Sequence, residues 1–277
     1  MKKYIAAVMQ LDVQDNVDEN LAAAGKQIAE AAARGAKLAV LPECMNYVGT
    51  EHYQEEIPGG KTFTYMAELA KKYNMWINAG SINETNPEEK NKPFNTAFLI
   101  NPEGKLAAKY RKLHPSDMRF PGAVLESDSN SSGDKVVSYD TGDFGHLGLS
   151  ICYDIRFSEL YRLLTLQGAN ILMVSAMFMQ QTGKDHWEPL LKARAIENGC
   201  YVLASDQIGT KNMGVSIPTY GRAMIVDPWG NVIARASDKP GVIYAEIDPD
   251  LIEEDRVKTS TLYNRRPDVY NLSIIDK

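Results

Sequence analysis

Apolar residues in this chain fall into short continuous runs, separated by longer segments in which they recur every three or four positions. Runs of the first kind read as buried strands and segments of the second as amphipathic helices. "YIAAVMQL" (4–11) and "LAVL" (38–41) are strands on this reading, and the Ala-rich stretch 16–34 between them is a helix, so the chain opens β-α-β. A second helix is predicted over 61–73, followed by strand "MWINAGSI" (75–82), and strands 95–100 and 106–112 flank the turn "NPEGK". From 115 to 134 the periodicity vanishes among Pro, Gly, Ser and Asp, which predicts a long surface loop. Long loops in compact domains are often functional.

The second half repeats the rhythm. Strand 146–151, helix 156–168, strand 170–176, helix 185–199 closed by Gly199 and strand 200–205 are predicted in order. A hairpin within 220–236 around "DPWGN" and a strand at 241–247 follow. No linker-like stretch separates the halves, so residues 1–277 are read as one α/β domain, and the shared rhythm suggests two sheets packed face to face with helices outside. The tail 257–277 has little helix signal but carries Leu262, Tyr263, Val269 and Tyr270, apolar content that fits docking.

Composition narrows the class. Hydrophobic residues at 44% and charged residues at 24% describe a globular chain. A net charge of -6 and the lack of any basic run longer than "KYRK" argue against a nucleic-acid partner. The N-terminus starts like an export signal, but Asp12 and Asp15 interrupt the apolar run, so a cytoplasmic protein without a membrane partner is expected. Cys44, Cys152 and Cys200 show neither CxxC nor Cys/His metal spacing, so no disulfide framework and no metal site are expected.

Each thiol is therefore weighed singly. Cys152 sits where strand 146–151 runs into a helix, beside backbone N–H groups whose partial charge favours a thiolate, at the kind of turn hydrolases use for nucleophiles. A buried thiol filling core space is the competing reading. Cys200 opens an apolar strand, where core is the default, and Cys44 follows Glu43 at a strand end but points to the opposite face if the extended pattern persists. A thiol attacking a carbonyl carbon needs a proton acceptor and a cation for the developing oxyanion. Of the four histidines, His114 and His186 are plausible site residues, yet no local pattern ties either to Cys152. Glu43 and Lys112 each end a strand, where catalytic groups of α/β folds gather, although taken alone Glu43 reads more readily as a solvated strand-end charge and Lys112 as part of an exposed basic turn.

Taken together, "LPE", "YRKLHP" and "GLSICYDIRF" resemble the Glu, Lys and Cys motifs of the nitrilase (carbon-nitrogen hydrolase) superfamily, in that chain order. Further matches, "HWEPLLKARAIENGCYV", "YGRAMIVDPWGNVIA" and "RRPDVY", resemble its amidase branch of ω-amidase and deaminated-glutathione amidase types. The resemblance implies a four-layer αββα sandwich, with Cys152 as nucleophile, Glu43 as general base, Lys112 as oxyanion stabiliser and the Tyr153 N–H as second oxyanion donor. Glu126 in "PGAVLES" matches the family's second glutamate. Nitrile-hydrolysing members follow the cysteine with Trp-Glu; here Tyr153-Asp154 follows, as in the amidases.

The implied reaction is hydrolysis of a small primary amide, carboxylate-bearing, through a thioester and without a cofactor. Arg156 and Arg222 are candidate cations for the carboxylate, and Tyr47, Phe178 and Met179 candidate pocket residues. Hydrolysis of N-carbamoyl compounds, an idle ligand-binding member and a thiol redox sensor are the alternatives. The resemblance also implies a homodimer with the tail crossing between subunits, and leaves further assembly open.

Overall fold

The computed structural model describes residues 1–118 and 125–275. Part of the predicted loop 115–134, and the last two residues of the tail, thus lie outside the described residues. The first half contains β1 (Tyr4–Leu11), α1 (Val17–Ala33), β2 (Ala36–Val40), α2 (Lys61–Tyr73), β3 (Trp76–Glu84), β4 (Phe94–Ile100) and β5 (Leu106–Arg111). After α3 (Glu126–Ser129) come β6 (Ser138–Asp140), β7 (His146–Ile151), a 3-10 turn (Cys152–Arg156), α4 (Ser158–Leu166), β8 (Ile171–Ala176), α5 (Gln180–Asn198) and β9 (Tyr201–Asn212). The remainder is β10 (Ser216–Tyr220), β11 (Met224–Val226), β12 (Val232–Arg235), β13 (Gly241–Ile247) and α6 (Pro249–Thr259).

The strands lie in the order β5-β4-β3-β2-β1-β9-β8-β7-β6, with β13 also on β1 and both β10 and β11 on β9. Residues alternate between the two faces of a strand, and β1 uses both. Tyr4, Ala6 and Val8 belong to the core shared with Leu149, Met173 and Leu203 of the second half. Ala7, Met9 and Leu11 pack with Leu21, Ile28, Met66 and Leu69 of α1 and α2. A strand buried on both sides has to read as a continuous apolar run. The αββα layering follows, and Asn78 in one half-sheet reaches the Met173 sulfur in the other at 3.6 Å. The expected pair of sheets proves to be continuous: β1 and β9 pair in parallel at Gln10↔Asp206 and Leu11↔Gln207.

Several boundaries differ from expectation. The helix predicted over 156–168 begins as a 3-10 turn at Cys152, breaks at Phe157, whose φ is -107°, and resumes at Ser158. The helix predicted from 185 starts at Gln180, and Gly199 closes it with φ 56° as expected. Helix α6 was not predicted. Its apolar stripe is thin, with only Ile252 and Asp255 buried. Its start is nonetheless marked by the Asp248 cap and by proline at the first helical position.

Candidate active site

Glu43, Lys112, Glu126 and Cys152, spread over 110 positions of sequence by their numbering, line one cavity of about 360 Å³. Each arrives there through a local feature of its element. Glu43 lies three residues beyond β2, in a turn that crosses β3 at Gly80. Gly80 has φ +68°, and a Cβ there would stand 2.0 Å from the Pro42 carbonyl oxygen. Only glycine allows the "LPE" turn to come so close. Lys112 continues the β4–β5 ladder by one residue, its N–H donating to the Asn95 carbonyl at 2.8 Å. Glu126 opens the short helix α3 within the predicted loop.

Cys152 follows β7 directly and has φ 46°, in the left-handed region. A non-glycine residue held there is usually fixed by its surroundings at a functional site. Asp154 does the fixing. Fully buried, it accepts from the Ile151 N–H at 2.9 Å and the Tyr110 hydroxyl at 2.7 Å, and its other oxygen lies 2.7 Å from His114 Nδ1. One carboxylate therefore ties the turn carrying Cys152 to the end of β5 that carries Lys112.

Lys112 Nζ donates to Glu43 Oε1 at 2.9 Å and to Glu126 Oε2 at 2.8 Å. Asn95 Nδ2 donates to Glu43 Oε1 at 2.8 Å and to Glu126 Oε1 at 3.3 Å. The Met177 N–H donates to Glu43 Oε2 at 2.9 Å, and the Ser116 N–H to Glu126 Oε2 at 2.6 Å. Both carboxylates are thus oriented by fixed donors, while Glu43 and Lys112 are only 3% and 4% exposed. Charges this deeply buried persist only when paired and hydrogen-bonded.

The electrostatics follow from that packing. Burial alone would lower the Lys112 ammonium, but the Glu43 and Glu126 charges outweigh it and hold the group well above the ordinary lysine value. Burial alone would raise Glu126; the Lys112 charge and the Lys112, Ser116 and Asn95 hydrogen bonds bring it below the ordinary carboxylate value. The Cys152 thiol is pushed well up by burial and then by the Glu43 charge, with Lys112 opposing. Burial and charge thus disfavour a resting thiolate, and the Glu43 carboxylate lies beside the thiol.

Of the remaining expected site residues, Tyr153, Arg156, Phe178 and Met179 line the cavity. The Arg156 guanidinium lies 5.4 Å from the Tyr153 ring and 5.3 Å from the Phe178 ring, with Nη1 3.3 Å from His186 Nδ1. It forms no ion pair among the described residues. Two expected residues, Tyr47 and Arg222, are not among those that line the cavity. Tyr47 lies off the cavity; it packs on Tyr53, and its hydroxyl accepts the Glu51 N–H. Arg222 is also absent from the lining, its guanidinium bound to Asp238 at 2.7 Å.

Cys44 departs from expectation in the other direction. Its φ of 50° ends the extended alternation, so it lines the same cavity as Glu43 instead of the opposite face. Burial and then the Glu43 charge push its thiol up. Cys200 is buried core, as its strand predicted. His114 is stacked on Phe157 with ring centroids 3.7 Å apart and bound to Asp154, so its place is in the scaffold. The sequence reading missed Asn95, Asp154 and the Met177 N–H, and only the Asp directly after "CY" carried any local signal.

The chain resembles known proteins over almost its whole length. The family model described as carbon-nitrogen hydrolase matches residues 5–257. A deaminated glutathione amidase of Synechocystis is 42% identical over 96% of this chain and 99% of its own length. An omega-amidase of Pongo abelii is 35% identical over 98% of both chains. Among solved structures, the NitFhit protein of Caenorhabditis elegans superposes with a TM-score of 0.92 at 34% identity, covering all of this chain and 68% of that one.

Proposed function

This chain belongs to the carbon-nitrogen hydrolase family, and from that premise we propose that it hydrolyses a small, carboxylate-bearing primary amide to the acid and ammonia at Cys152. The observation that carries the reading is the convergence of a thiol, a buried carboxylate and a buried ammonium on one cavity. Amidase names among relatives at 35–42% identity support it.

In the proposed cycle Glu43 takes the Cys152 proton as sulfur bonds to the amide carbon. Lys112 and the Tyr153 N–H stabilise the oxyanion of the tetrahedral adduct. Collapse breaks the carbon-nitrogen bond, with Glu43 returning its proton to the departing ammonia and leaving a thioester. Water, deprotonated by Glu43, then attacks the thioester and releases acid and thiol. One oxyanion donor contributes about 3 to 4 kcal/mol, and general acid-base transfer roughly 10²- to 10⁴-fold. Glu126 shares the Lys112 ammonium with Glu43 and fixes it against the oxyanion position.

The carboxylate preference rests on Arg156, a cavity cation without a counter-charge among the described residues. An unpaired guanidinium in a cavity is a ready bidentate partner for a carboxylate. The proposal extends to assembly as a homodimer, with helices of the second half at the interface and the tail, where Tyr263, Val269, Tyr270 and Ile275 are each more than half exposed, crossing between subunits. A sedimentation measurement returning a monomer would remove that part.

The test is release of ammonia from a panel of ω-amides, neutral amides and N-carbamoyl compounds by wild type and Cys152→Ala. Wild-type turnover of amides that disappears in the variant is expected. Carbon dioxide accompanying the ammonia would move the reading to carbamoyl hydrolysis, and silence across the panel would refute it.

A further inference from the structure

Every group placed in the cycle so far touches the cavity, yet the orientation of Glu43 depends on a residue behind it. We propose that Asp206 is a positioning residue for the general base, holding the Met177–Phe178 turn so that the Met177 N–H is aimed at Glu43 Oε2. This inference rests on the role assigned to Glu43 above.

The argument begins where β8 stops. Ala176 is its last residue and pairs with Asp206 of β9 in a parallel ladder. From Met177 the chain leaves the sheet toward the cavity and α5, while β9 continues, so the next N–H groups lose their ladder acceptors. Buried backbone donors need replacements. Asp206 supplies one with its side chain: Oδ1 accepts the Phe178 N–H at 2.8 Å and the Gln207 N–H at 2.9 Å. With Phe178 anchored, the preceding Met177 N–H is left to donate to Glu43 Oε2 at 2.9 Å. The neighbouring Gln207 holds the other end of the same base, its Nε2 donating to the Glu43 carbonyl at 2.6 Å. Two consecutive residues of β9 thus fix both the carboxylate and the backbone of Glu43.

The character of Asp206 fits an acceptor and not a counter-ion. It is fully buried, forms no ion pair among the described residues, and its Oδ2 has no hydrogen-bond partner there. Burial raises its carboxyl well above the ordinary value, the two N–H donors oppose that, and the Glu43 charge adds to it. The charged and titratable groups around it are Glu43 toward the cavity, with Lys112, Glu126 and Cys152 beyond, and Lys211 on β9 itself. That burial disfavours a further negative charge beside a cluster in which two carboxylates already share one ammonium.

The experiment follows Cys152 itself, so that it does not depend on knowing the substrate. Alkylation by iodoacetamide is measured from pH 5 to 9 by peptide mass spectrometry, which separates Cys152 from Cys44, in wild type, Asp206→Ala and Asp206→Asn. An anion that loses a hydrogen-bond donor gives up its charge at higher pH. D206A is therefore expected to slow Cys152 alkylation at neutral pH by about 10- to 100-fold, the scale of a misplaced catalytic group, and to move its acid limb upward. D206N keeps the Oδ1 acceptor and is expected to recover both. A role confined to stability would lower the melting temperature without moving the acid limb of the folded protein. If D206A does not fold, Asp206→Thr, which suits a strand and is too short to hold both N–H groups, takes its place. An unmoved acid limb in the truncated variant, or no recovery in D206N, overturns the inference. Wild type that alkylates with this profile but releases no ammonia would instead sink the amidase reading and leave the positioning role standing.

Discussion

Replacing Lys112 with methionine tests the central cluster, because it removes the ammonium while nearly keeping its volume. In the wild type Nζ lies 2.9 Å from Glu43 Oε1 and 2.8 Å from Glu126 Oε2. Two carboxylates gripping one ammonium stand about 5 Å apart, and at an effective dielectric of about 20 their bare repulsion is about 3 kcal/mol. That is enough to move proton uptake by one of them upward by about two pH units. Loss of the oxyanion donor removes a further 10²- to 10³-fold or so from kcat. K112M is thus expected to lose about 10³-fold or more in kcat at neutral pH, with the acid limb of any residual activity displaced upward. The assay is ammonia release between pH 5 and 9, alongside circular dichroism to establish folding. A folded K112M that keeps more than about a tenth of wild-type kcat, against the loss expected of an oxyanion donor, with an unmoved acid limb, would refute the reasoning.

Three further outcomes are expected. Arg156→Gln should raise KM for a carboxylate-bearing amide by about 10- to 100-fold, the scale of a lost charge-assisted hydrogen bond, and leave a neutral amide unaffected; equal losses on both substrates would remove Arg156 from substrate reading. Asp154→Ala strands the Tyr110 hydroxyl, the His114 ring and the Ile151 N–H, so a loss of about 3 kcal/mol or more and a fall in Tm of roughly 10 °C are expected, and a Tm within about 2 °C of wild type contradicts it. Stability against pH has a definite sign. Glu126, held below its ordinary 4.5, contributes stability above that pH and loses it on acidification, whereas Lys112, held above its ordinary 10.5, contributes until strongly alkaline pH. K112M lacks both contributions, so denaturant titrations should show its deficit against wild type shrinking as pH falls toward 4; a deficit that grows on acidification would contradict the cluster.

Much of the architecture was legible because burial writes itself into local pattern. A strand covered on both faces must be apolar throughout, as "YIAAVMQL" is, and a helix lying on a sheet must be apolar on one stripe, as α1 is. Helix α6 lacks that stripe and left only its cap and proline as marks. Where a residue left the helical or extended state singly, pattern failed: the left-handed backbone at Cys44 brought it to the cavity, and the extended backbone at Phe157 set the start of α4 two residues later than expected, behind a separate 3-10 turn.

The sequence by itself singled out the candidate reactive groups, since the thiol, carboxylate and ammonium stand in recognisable surroundings at strand ends. Only the tertiary structure decided which neighbours hold them. Asn95 between two carboxylates, Asp154 across two elements, and Asp206 behind the Met177 N–H act through partners from 28 to 52 residues away by their numbering. It also decided that Arg156 faces the cavity while Arg222 turns to Asp238. A side chain's chemistry is local and can be read from its residue type. Its hydrogen-bond partners depend on how separate strands register against one another, which is settled only when the two half-sheets close on a common core.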